Sequence, residues 1–165
     1  QPFLLLLLIP FSLTTVAWGH LVHGFPVNVI SLLGVIALVG ILVNDGLVLI
    51  SKFNSNLRLG KSYDESLFGA GKERFRAIFL TSITTMAGLA PIIFEKSFQA
   101  QLLKPMAISI AYGIGYATFL TLILLPILLS LTNTLKLNFV WLRSGKKVDK
   151  RDVEAPVIEL KRKNK

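Results

Sequence analysis

From Gln1 to Ser51 the only ionisable side chains are His20, His23 and Asp45. A surface facing water needs charge spread along it, so a stretch this long and this apolar must meet lipid instead. The whole chain agrees: with 53% hydrophobic and 16% charged residues, it carries more apolar surface than one soluble core of its size can hide.

Four apolar runs are long enough to cross roughly 30 Å of hydrocarbon at about 1.5 Å per residue. They lie near 3–22, 29–53, 77–94 and 105–131. They predict an all-α polytopic membrane protein, with four transmembrane helices filling residues 1–132. Pro10 predicts a kink in the first helix, tolerated where neighbouring helices satisfy the freed carbonyl.

Loop charge predicts orientation. Lys52, Arg58, Lys61, Lys72, Arg74 and Arg76 lie in or beside a connection at 54–76, and ten Lys or Arg against four Asp or Glu lie between Lys136 and Lys165. Basic loops stay on the cytoplasmic side, which places this connection and both ends of the chain there. The connections around Gly19–Asn28 and Glu95–Lys104, the first holding His20 and His23, then face outward. The net charge of +9 is concentrated in a tail at 133–165, expected to be a basic, disordered cytoplasmic flank rather than a nucleic-acid-binding arm. Its removal from 148 onward is expected to leave insertion and transport intact. Gln1 stands inside an apolar run without a basic leader, which predicts that the chain continues upstream.

Within the connection, Ser62-Tyr63-Asp64-Glu65 has the form of a capping box and predicts a short interfacial helix, limited by Gly69 and Gly71. Ala107, Ala111 and Gly115, with Ser109, Gly113, Ala117 and Thr121, give the fourth run two small-residue rows suited to close helix contact.

Asp45 is the residue most suited to chemistry. An Asp near the centre of a membrane helix costs roughly 2.5–3.5 kcal/mol on insertion scales, so it calls for an interior partner or a water cavity. The alternative is a position close enough to the cytoplasmic end to reach water. Arg74 and Thr81, seven residues apart, share one helix face and could serve an acid nearby; otherwise Arg74 is an interfacial anchor. The hydroxyls of Thr81, Ser82, Thr84 and Thr85 can bond across a bundle or back to their own helix. His20 and His23 lack further ligands and suggest an interfacial role, not a metal site. Without cysteine there is no disulfide or thiol chemistry. Nothing has the form of a phosphate-binding Gly-rich loop, so neither an ATPase nor a bound cofactor is expected.

The run Gly40-Ile41-Leu42-Val43-Asn44-Asp45-Gly46-Leu47-Val48-Leu49-Ile50 resembles the tenth transmembrane helix of resistance-nodulation-division (RND) permeases of the hydrophobe-amphiphile efflux type. Ile9-Pro10-Phe11, Trp18-Gly19-His20, Arg74 to Ser82 and Pro105 to Ala111 extend that resemblance in the same order, over about Gln1 to Leu131. It implies helices nine to twelve of a twelve-helix protomer, working as a proton antiporter rather than an enzyme, with protons as coupling ion. It further implies a bacterial inner-membrane homotrimer with a periplasmic adaptor and an outer-membrane channel. Asn44 stands where many drug-exporting members of that family place a relay Lys, so the resemblance does not carry over a Lys-centred switch. It leaves a proton relay of Asn44, Asp45, Arg74, Thr81 and acids elsewhere in the permease. The rival expectation is a small self-contained membrane scaffold or assembly subunit without transport activity.

Overall fold

The computed structural model describes residues 2–144 and 149–163, and all regular structure among them is helical. The elements are α1 (Pro2–His23), α2 (Val29–Arg58), α3 (Tyr63–Phe94), α4 (Phe98–Phe119), a π-helical turn (Leu120–Leu124), α5 (Leu125–Ser144) and α6 (Ala155–Lys163). Four helical stretches are long and apolar enough to cross a membrane, the last running unbroken from α4 into α5.

Caps fix where the helices begin. At α2, Asn28 Oδ1 accepts from the Ser31 amide at 2.9 Å while Ser31 Oγ accepts from the Asn28 amide at 2.6 Å. At α3, Ser62 Oγ accepts from the Glu65 amide at 3.3 Å and Glu65 Oε2 accepts from the Ser62 amide at 3.3 Å. Orphan amides at both helix starts are thereby satisfied reciprocally.

The α2–α3 connection is far shorter than the expected 54–76. It is the turn Leu59–Ser62, where Gly60 adopts φ +92°, a backbone region that suits glycine. The expected interfacial helix is the first part of α3, continuous with the span. Gly69 and Gly71 do not end it, because Ser66 and Ala70 are buried against the bundle and tertiary packing outweighs local propensity.

Helix α4 is the centre of the bundle, packed on α1, α2 and α3. Gly34 meets Met106 and Ser109, and Leu38 meets Gly113, so α2 and α4 run in the same direction. Ser82 meets Thr118 and Met86 meets Gly115, so α3 runs opposite to α4. A Cβ at Gly34 would lie 2.7 Å from the Met106 carbonyl oxygen. That backbone contact is what small residues permit in membrane helices. The buried core is mostly aliphatic and centred on Leu38, Leu42, Leu49 and the aromatic Phe53 of α2, with Leu5 and Leu8 of α1 and Ile114 of α4. Trp18, Leu21, Ile36, Leu80 and Phe119 point outward, an arrangement suited to lipid.

The region beyond 132 also departs from expectation. Helix α5 continues to Ser144, and the described segment Asp149–Lys163 folds back so that α6 packs on α2. The physical reason is apolar residues interleaved with the charges: Pro156 and Val157 are buried while Ile158 and Glu159 face out. Positions 145–148 lie outside the described residues, as do 164 and 165.

Candidate functional site

Asp45 is half-buried on α2, between the buried Leu42 and Leu49, while Asn44 is exposed. About two turns on, on the same face, Lys52 reaches across to Glu73 of α3 at 2.6 Å. Lys52 is therefore committed to a different acid. That pair also fixes depth: Asp45 lies about two turns back from Lys52, and Leu80 and Thr81 about two turns on from Glu73 along the opposed helix. The Leu38–Gly113 contact similarly sets Thr121 of the π-helical turn level with Asp45.

Arg74 occupies the row Ser66, Ala70, Arg74, Ile78, Ser82, whose other members are all buried. Its Nε is buried without a hydrogen-bond partner among the described residues. Arg74 thus lies partly buried on the bundle-facing row of α3. Thr81 is exposed, and its Oγ1 donates to its own helix, to Ala77 O at 3.0 Å and Ile78 O at 2.9 Å. Thr84 and Thr85 do likewise, at 2.8 Å to Leu80 O and Thr81 O. Among the described residues no hydrogen bond or ion pair links Asn44, Asp45, Arg74 and Thr81 to one another. Asp45 and Thr81 share a depth, with Arg74 offset toward the basic end.

Of the α3 hydroxyls at 81, 82, 84 and 85, Ser82 makes a contact across the bundle, to Thr118, and both are buried. Thr121 is 1% exposed and its Oγ1 has no partner among the described residues. A π-helical turn, which often marks a functional position in a membrane or soluble helix, holds this hydroxyl at the level of Asp45. Neither Thr118 nor Thr121 stands out in the sequence as a site residue: Thr121 lies in a row of small residues that packing alone accounts for, and Thr118 lies between Ile114 and Leu122 on an apolar row.

On the opposite side of the bundle the histidines lie in α1, not in an outer loop. The His20 ring, 3% exposed, contacts Ser109 Oγ at 2.9 Å and Phe25 O at 3.2 Å; His23 Nε2 contacts Tyr112 Oη at 3.0 Å. Both pairs tie α1 to α4. Among the described residues no three His, Cys, Asp or Glu side chains gather as a metal site.

The family model described as the AcrB/AcrD/AcrF family matches residues 1–133. The chain belongs to that family. Among curated relatives it is 31% identical over 125 residues to the cobalt-zinc-cadmium resistance protein CzcA of Cupriavidus metallidurans, covering 76% of this chain and 12% of that protein. The nickel and cobalt resistance protein CnrA of the same organism is 32% identical over 120 residues, covering 73% and 11%. The multidrug resistance protein MdtC of Serratia proteamaculans is 28% identical over 127 residues, covering 76% and 12%. No solved structure matches. The chain spans about an eighth of the length of these relatives, and its RND character is that of a permease segment in an AcrB/AcrD/AcrF-type membrane domain. The family match ends at 133, so the segment that docks on α2 lies beyond it.

Proposed function

We propose that this chain forms the last part of the membrane domain of an inner-membrane RND permease, and that the domain couples export to proton entry through Asp45. The supporting observation is an acid held half-buried in an apolar span, level with the buried Thr121 hydroxyl, with the partly buried Arg74 about two turns away toward the basic end. A carboxyl group there can alternate between a neutral state compatible with the bundle interior and a charged state that needs Arg74, a hydroxyl or water. Such alternation changes which helix packing is stable. Asn44 and Thr81 lie on the outer side of α2 and α3, where helices of the complete permease supply the remaining acids.

The relatives' names divide between metal ions and drugs while matching this segment about equally well. We therefore assign the segment to coupling and substrate choice to parts of the permease elsewhere. The proposal includes a homotrimer with a periplasmic adaptor and an outer-membrane channel, and the basic ends of α2, α3 and α5 in the cytoplasm. The discriminating experiment is Asp45→Asn in the complete transporter, which keeps shape and removes the exchangeable proton. Membrane abundance and trimer assembly should be unchanged, and proton-driven export should fall to the level of membranes without the carrier. Export at the normal rate across the working pH range would make Asp45 a packing residue.

A further inference from the structure

The segment Asp149–Lys163 lies outside the family match and plays no part in the coupling proposal, yet it is fastened to three helices. On α2, Arg151 Nη2 donates to Leu57 O at 3.2 Å, and Arg58 pairs with Glu159 at 3.4 Å. Leu57 belongs to the last turn of its helix, and its carbonyl also accepts from the Gly60 amide at 3.1 Å. On α3, Lys150 pairs with Asp64 at 3.1 Å. On α5, Asn133 Nδ2 donates to Glu154 Oε1 and to Lys150 O, both at 2.8 Å, and Lys136 Nζ lies 3.0 Å from Glu154 Oε2.

Glu154 is 2% exposed, a burial that carboxylates rarely reach unless paired. Val157 closes the contact by joining the buried cluster that contains Phe53, Leu57 and Tyr63. The exposed ion pairs add little, so Glu154 and Val157 are the holding points. Tyr63 Oη and Arg151 Nε are also buried, without hydrogen-bond partners among the described residues. A contact region this polar gains little by staying closed, because water competes for each group when it opens.

We propose that Asp149–Lys163 is a reversible latch. Closed, it binds the basic ends of α2 and α3 to the middle of α5 as one block. Open, it frees α2, the helix that carries Asp45, to shift against α5. Its effect on transport rests on the coupling function proposed above, whereas its docking does not.

The test uses the complete transporter, freed of other cysteines, in native membranes. Val157→Cys is compared with Ile158→Cys, whose parent side chain is 52% exposed, for reaction with a water-soluble maleimide. The latch predicts labelling about tenfold or more slower at Val157→Cys. Adding Glu154→Ala should bring the two rates together and lower export at unchanged membrane abundance. Equal rates without Glu154→Ala overturn docking, and normal export with a freed Val157→Cys overturns the coupling role. Should Glu154→Ala not accumulate, a chain ending before Asp149 replaces it; the docked segment reverses the sequence-based expectation of intact transport, so lowered export is expected and normal export is again decisive against the latch. If Asp45 is not the coupling group, the labelling difference still stands, so the two proposals fail separately.

Discussion

Ser82 and Thr81 are adjacent hydroxyls with opposite surroundings, and they should respond differently to the same truncation. Ser82 Oγ accompanies Thr118 across the helix interface and also donates to Ile78 O at 2.9 Å. Ser82→Ala leaves the Thr118 hydroxyl buried with one partner fewer, which should cost about 1 kcal/mol in a membrane bundle. Thr81→Ala removes bonds that only serve its own helix, and the cost should fall within about 0.5 kcal/mol. Thermal denaturation of the two variants of the complete transporter in detergent makes the comparison; equal losses would mean that the contact between α3 and α4 holds little. The hydroxyl-rich character of this stretch was legible in the sequence. Which hydroxyl faces inward was not, because it depends on the rotation of α3 about its axis, and that is set by packing of Ala70 and Ile78 against distant helices.

At the scale of helix pairs, glycines with the same local chemistry have opposite roles. Gly34 lies against the Met106 carbonyl, and a backbone atom cannot swing aside as a side chain can. Gly34→Ala should therefore separate α2 from α4 at a cost of about 1–3 kcal/mol. Gly40 has nothing within 4 Å of an added Cβ, and Gly40→Ala should be neutral or stabilise α2 by up to about 1 kcal/mol. Paired melting curves for the complete transporter, with disulfide trapping between α2 and α4, check both signs. Spacing of small residues announced close helix contact in the sequence, and apolar run length announced the four spans. The extent of α3 and α5 was hidden for a shared reason: a polar, charge-bearing helix reads as loop unless the surface it docks on is known.

Across the whole molecule, the short turn Leu59–Ser62 and the link before α4 stand at opposite ends of the bundle, since α3 runs the full distance between them. At about 1.5 Å per residue that helix is about 48 Å long, more than the hydrocarbon core. Lys61 and Lys96 are exposed at the two ends. Lys61→Cys and Lys96→Cys should react with a membrane-impermeant thiol reagent from opposite sides, Lys96→Cys from outside. Neither lysine caps a helix, whereas the neighbouring Ser62 and Ser97 cap α3 and α4. Labelling from the same side would overturn the topology. The π-helical turn at Leu120–Leu124 has a consequence on this same scale. It accommodates one residue more than an α-helix would, so every side chain of α5 is turned by about 100° from the azimuth that α4 alone would dictate. Asn133 and Lys136 meet Glu154 at that altered azimuth. Deleting one residue from the turn would restore the ordinary winding and rotate both side chains away from Glu154 without touching either, so a change in the middle of the membrane would be felt where the chain folds back on itself in water.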